Sequence, residues 1–178
     1  MLFSHSPSKG SEIGLSALAR VKRTHRDMEV CLFGPTTRRR PPNLPAWARY
    51  LGNVSNEQLG RLYNESQIYV CSSWAEGFAL PPAEAMACGC VVAATDCGGI
   101  NEFAIDGVNA LLSPPGDVEA LARNIARLLD DHQLRTSLAK AGHDSIQSFT
   151  WEAATVKFEE FIKQQIDRSC ASARAARA

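Results

Sequence analysis

The sequence predicts an α/β fold in which a doubly wound parallel sheet of about six strands is covered by helices on both faces. Three observations carry this. Short apolar runs alternate along the chain with segments of helical period, the order expected of βαβ units. Two of those runs, Ile68–Cys71 and Cys90–Ala94, are continuously apolar, as strands buried on both faces of a parallel sheet must be. The 178 residues also contain no internal repeat and no obvious linker, so one doubly wound domain accounts for all of them.

The elements follow in order. Met1–Ser4 reads as a strand fragment, and Ser11 to about His25 as a helix presenting Leu15, Leu18, Ala19 and Lys22 on one face. Met28–Phe33 is a strand closed by Gly34-Pro35. Thr36–Pro45 is a surface loop, because Arg38-Arg39-Arg40 is followed by Pro41-Pro42, which continues neither helix nor strand. Its arginine run suits either phosphate or solvent. After a short strand at Arg49–Gly52, Ser55 and Gln58 have capping-box spacing and open a helix with Leu59, Leu62 and Tyr63 inward. Pro81-Pro82 begins a short helix, since proline is tolerated in a first turn whose N–H groups lack helical acceptors. Gly98-Gly99 turns into a short helix at Ile100–Phe103, and Ala110–Leu112 is the last strand. Asp117 caps a helix whose Val118, Leu121, Ala122, Ile125, Leu128 and Leu129 keep the 3.6-residue period. Helices from His132 to about Ser148 and Thr150 to about Arg168 follow, and the Ala/Arg/Ser tail is expected to fray.

Composition excludes several classes of function. Nineteen Lys plus Arg balance nineteen Asp plus Glu, so no general attraction to nucleic acid or an anionic membrane exists. Ala85–Thr95, the longest uncharged run, is eleven residues, against the ~20 that a membrane-spanning helix needs. The N-terminus has no basic region ahead of an apolar core, so it does not read as a secretory signal. None of the six cysteines forms a C-x-x-C pair, and most lie in apolar runs, which favours buried thiols in a reducing cytoplasm over disulfides or zinc.

The chemistry concentrates between Ser72 and Gly89, where a buried strand passes through a loop into a helix. In an open α/β sheet this is the edge where ligands bind. The amides of Gly77, Phe78, Ala79 and Leu80 lie at the helix N-terminus, which attracts phosphate. Glu76 in the loop and Glu84 on the first turn of the helix, which is expected to start near Pro82, flank that site. Carboxylates repel phosphate but accept hydrogen bonds from hydroxyl pairs, so the arrangement suits a ligand with phosphate in the middle and a polyol at each end, as in a nucleotide sugar. Taken singly, Glu84 complements a helix dipole, worth about 0.3–1 kcal/mol, Lys9 is a surface lysine, and Trp74 and Phe78 are packing residues.

The run from Glu76 through Glu84 to Gly89 resembles the E-x7-E motif of the retaining group 1 glycosyltransferases, also called family 4. Ser8-Lys9-Gly10, Tyr50-Leu51-Gly52, Gly98-Gly99 with Glu102, and Gly107 with Asn109 agree in order and spacing, from Met1 to about Phe161. The resemblance implies the C-terminal, Rossmann-like, nucleotide-sugar-binding half of a GT-B enzyme, here residues 1–168 followed by a disordered tail at 169–178. It implies that Glu76 accepts from the sugar hydroxyls and Glu84 from the ribose, that the amides of Gly77 to Leu80 hold sugar and distal phosphate, and that Lys9 neutralises the departing diphosphate. Lys9 and Glu76 would be the catalytic residues, each on its own part of the ligand, with Asn53 and Val54 at the nucleobase. The arginine usual five residues before the lysine is Ser4 here, leaving His5 or another cation to serve. With no D-x-D motif, no metal and no cofactor is expected. The partners implied are a nucleotide-diphosphate sugar and an N-terminal acceptor domain, through which any membrane contact would be made, with no nucleic acid. This chain alone would bind donor without transferring it. A non-catalytic nucleotide-sugar sensor and an epimerase-like domain share the same fold.

Overall fold

The computed structural model of the chain describes residues 1–34 and 40–175. Arg38 and Arg39 of the arginine run, and the last three tail residues, lie outside the described residues. Arg40 donates to the carbonyls of Ala48 at 2.6 Å and Leu44 at 3.1 Å, so it closes its own loop. Two compact units divide the span expected as one domain, residues 1–146 and 147–178, and each is taken by itself.

In the first unit a 3-10 turn at Pro7–Lys9 leads into α1, Ser11–Thr24, then β1, Val30–Leu32, and β2, Ala48–Tyr50. Next come α2, Asn56–Glu65, β3, Ile68–Cys71, α3, Leu80–Ala87, and β4, Val91–Thr95. A 3-10 turn at Gly99–Glu102 leads to β5, Ala110–Ser113, followed by α4, Val118–Asp130, and α5, His132–Ile146. Strand pairing is parallel throughout: β1 with β2, β3 with β4, and β4 with β5. The α/β class and parallel order are as the sequence predicts. The strand arrangement differs from the single sheet of about six expected: Met1–Ser4 reduces to a bridge between Leu2 and Phe33, and the five strands among the described residues form two parallel sheets, β1 with β2 and β3 with β4 and β5.

The caps are those read from the sequence. Ser55 and Gln58 form a reciprocal capping box on α2, and Asp117 accepts from the Ala120 amide at 2.9 Å at the start of α4. One helical face is shifted. The buried residues of α1 are Ser11, Gly14, Ala17, Leu18 and Val21, whereas Leu15 and Ala19 are only partly covered. Small residues win that face because the helix lies close over its neighbours: a Cβ at Gly14 would stand 2.5 Å from the Met1 sulfur and 2.7 Å from the Ser72 hydroxyl.

β4 divides the core. All five of its residues are buried, and successive side chains enter opposite faces. Val91 and Ala93 join α1 and α4 through Leu18, Val21, Leu121, Ile125 and Leu128. Val92 and Ala94 join α3 and the 3-10 turn after β4 through Ala83, Met86 and Ile100. Burying each large aliphatic side chain contributes about 1.5–3 kcal/mol, so helices are held on both sides of the sheet.

The second unit is the helix α6, Trp151–Ala175, which runs past the expected end at Arg168. Thr150 Oγ1 accepts from the Ala153 amide at 3.1 Å at its start. Trp151, Phe158, Phe161 and Ile166 are exposed along it.

Two glycines give opposite tests. Gly10 has φ +56° and a Cβ there would overlap the Ser72 carbonyl, while the helical Gly60 has nothing within 4 Å. Urea unfolding should show Gly10→Ala losing about 2 kcal/mol or more, and Gly60→Ala gaining about 0.5–1 kcal/mol.

Candidate functional site

Parallel pairing brings the ends of three segments to one edge of the first unit. The turn Pro7–Lys9 follows the Leu2 bridge, the loop 72–79 follows β3, and the loop 96–99 follows β4. Backbone hydrogen bonds tie the three together. The Trp74 amide donates to Ser8 O at 2.7 Å, the Glu76 amide to Cys97 O at 2.9 Å, and the Gly99 amide to Glu76 O at 3.1 Å. Thr95 Oγ1, fully buried, donates to Ser73 O at 2.5 Å, and Ser72 Oγ to Lys9 O at 3.3 Å. Gly99 is required here, since a Cβ would run into the Gly77 carbonyl.

On this frame Lys9 and Glu76 meet. Lys9 Nζ donates to both carboxylate oxygens of Glu76, at 2.7 and 2.9 Å, and Ser73 Oγ donates to Oε1 at 2.7 Å. The lysine side chain is 29% exposed and the glutamate 14%, so the pair is sheltered yet reachable from solvent. Sequence reasoning gave these residues separate partners and did not foresee their pairing, nor Ser73. Nothing in the local pattern marks a contact across 67 residues.

The other candidates fall into place unevenly. Gly77 and Leu80 are exposed, and Phe78 packs against Phe103 with ring centroids 5.3 Å apart. Ala79 is buried and caps α3 from the left-handed region, φ 65° and ψ 59°, the one non-glycine residue with positive φ among the described residues. α3 begins at Leu80, two residues before the expected start at Pro82, so Glu84 lies in the second turn and not the first. The helix dipole acts mainly within the first turn, which leaves the dipole as a poor reason for Glu84. Its carboxylate instead accepts from the Tyr63 hydroxyl at 3.3 Å. Asn53, exposed, and Val54, half-buried, line an open cavity of about 460 Å³ with Arg49, Gln58 and Arg61.

Ser4 and His5 belong to the loop before the turn and are engaged there. Ser4 Oγ accepts from the Ser6 amide at 3.1 Å, and His5 stands edge-on to Phe3 at 5.3 Å. Trp74 lies over Gly116, where a Cβ would meet its ring, so it is held as a packing residue although half its surface is exposed. Glu102 ends its 3-10 turn and is exposed.

The buried Cys71 thiol donates to Ser73 Oγ at 3.7 Å. The neighbouring Cys97 thiol, and then Ser73, hold the Cys71 thiol below its ordinary range.

Known proteins resemble this chain along most of its length. The family model described as Glycosyl transferases group 1 matches residues 2–131. O-antigen chain mannosyltransferase B of Escherichia coli is 35% identical over 111 residues, which are 62% of this chain and 29% of that protein. The chain spans about a third of the length of the curated relatives it matches. Among solved structures, the C-terminal domain of a glycosyl transferase group 1 family protein (LpcC) from Francisella tularensis has a TM-score of 0.73 at 25% identity, covering 83% of each chain. Anabaena HepE, solved in complex with UDP and glucose, has a TM-score of 0.72 at 26% identity, covering 96% of this chain and 47% of that one.

Two outcomes are expected from the geometry. A double-mutant cycle of Lys9→Ala and Glu76→Ala, read by urea unfolding, should return a coupling of about 1 kcal/mol or more, above that of an exposed pair. Ala79→Gly should be close to neutral, because relief of the left-handed strain offsets the added chain entropy, whereas Ala85→Gly within α3 should lose about 1 kcal/mol or more.

Proposed function

The chain belongs to the group 1 glycosyltransferases, and on that premise we propose that it is the donor-binding half of a retaining hexosyltransferase that uses a nucleotide-diphosphate sugar. The observation that carries this reading is the sheltered Lys9–Glu76 pair at the carboxyl ends of parallel strands, beside the N-terminus of α3. The complex of the Anabaena relative with UDP and glucose supports the same ligand class.

In this reading the diphosphate enters at the amides of Gly77 to Leu80 and draws on Lys9. Its oxygens compete with Glu76 for the ammonium. As the lysine turns to phosphate, the carboxylate of Glu76 becomes available to the sugar hydroxyls, still oriented by Ser73. Glu84 takes the ribose hydroxyls, and the cavity at Asn53 and Val54 takes the base. When the bond between the anomeric carbon and the phosphate oxygen breaks, its electron pair goes to the diphosphate, whose charge Lys9 and the α3 amides stabilise; an acceptor hydroxyl oxygen bonds to the anomeric carbon on the same face, and its proton passes to the departing phosphate oxygen. No glutamate nucleophile, resident metal or cofactor is used. Ser4, occupied with Ser6, adds no cation, so among the described residues Lys9 is the main positive charge brought to the diphosphate. Acceptor and second wall come from another domain, and this half alone binds donor without appreciable transfer.

Calorimetric titration with the uridine, guanosine and adenosine diphosphates tests this. One of them should bind, with no change on adding EDTA, and Glu84→Ala and Lys9→Ala should each weaken it by about 10-fold, the loss of a hydrogen bond to a charged group. Absence of binding by all three at millimolar concentration would sink the reading.

A further inference from the structure

Tyr63 lies on α2, outside the loops that build the site, yet its hydroxyl reaches Glu84. The residue is 3% exposed. Its ring is set edge-on between Phe33, with centroids 6.1 Å apart, and Tyr69, at 5.7 Å. Phenylalanine would fill such a place equally well as far as packing goes. A buried hydroxyl needs a partner, because one left without costs about 1–3 kcal/mol, and the partner it finds is Glu84 Oε2 at 3.3 Å. The buried aromatic setting fixes the direction from which the hydroxyl comes. Burial, and next the Glu84 charge, push the Tyr63 phenol well above its ordinary range, so it remains a donor at any working pH.

From the other side, Glu84 is an exposed glutamate on a short helix with several rotamers open to it. Among the described residues the Tyr63 hydroxyl is the donor that restrains it, and it engages Oε2 and leaves Oε1 without a protein donor.

We propose that Tyr63 is a positioning residue for Glu84: the tyrosine hydroxyl anchors one carboxylate oxygen from behind and leaves the other for the paired hydroxyls of a ribose. The inference rests on the donor-binding reading above. The bond is longer than an ordinary O–H···O contact and should shorten on binding, as site hydrogen bonds in ligand-free proteins commonly do.

The test compares the uridine, guanosine and adenosine diphosphates with their 2′,3′-dideoxy counterparts, by calorimetry on the full chain. In Tyr63→Phe the ribonucleotide that binds should weaken about 5- to 10-fold, while its dideoxy counterpart binds as it does to the unaltered chain. In a Glu84→Gln background, Tyr63→Phe should add less than about 2-fold, since the anchor then has no charged oxygen to hold. If Glu84→Gln weakens binding but Tyr63→Phe leaves it unchanged, or weakens ribo and dideoxy ligands alike, the positioning role is overturned and the donor site stands. If Glu84→Gln has no effect, or no diphosphate binds, both readings are overturned.

Discussion

Everything at the candidate site depends on the salt bridge between Lys9 and Glu76, with Ser73 as its third member. An ammonium and a carboxylate brought partly out of water are held favourably only when their remaining hydrogen-bonding capacity is also met. Here the fold meets it from three directions. The turn Pro7–Lys9 supplies the cation, the loop after β3 supplies the anion and the serine, and the loop after β4 seats the Glu76 backbone through Cys97 and Gly99. The close approaches at Gly10 and Gly99 follow from this convergence, because three backbones meet where side chains would otherwise stand.

The core explains why the convergence is rigid. β4 is rich in alanine and valine, so its side chains are short and α3 and α4 come near the sheet from opposite sides. Packed interiors yield little to strain, and the loops that leave β3 and β4 inherit fixed starting points. Ala79 shows the other side of that rigidity. It is held in a conformation that glycine adopts freely and alanine resists, so the turn into α3 is imposed by its surroundings.

Much of this was legible in the sequence, and the reason differs from part to part. The α2 and α4 caps were readable because a cap is a local arrangement of side chain and backbone within four residues, Ser55 with Gln58 or Asp117 with Ala120. The buried strands were readable because a strand covered on both faces leaves a continuous apolar run. The face of α1 was misread because the helix seats its glycine and alanine against close neighbours, and hydropathy gives such small residues little weight. The start of α3 was placed late because proline marks a first turn without fixing which position in it. Glu76 and Glu84 were singled out by the spacing of one motif and Lys9 by a second, separate block of the same resemblance. Their relations were not: the salt bridge joins residues 67 apart, and the Tyr63 contact joins residues 21 apart on different helices. Contacts of that range are set by the folded chain, and no window of sequence contains them.

The parallel pairing of every strand pair described has a consequence for how the protein is made. Parallel neighbours cannot close through a tight hairpin and must wait for a crossover segment. Contacts of long sequence separation form late, after much chain entropy has been lost. A chain emerging from the ribosome therefore carries both Lys9 and Glu76 well before it carries Gly98, the bridge partner of Glu76, and β4 beside it. At that stage the motif is complete as a string of residues and has no geometry, and the site comes into being only when the second crossover closes.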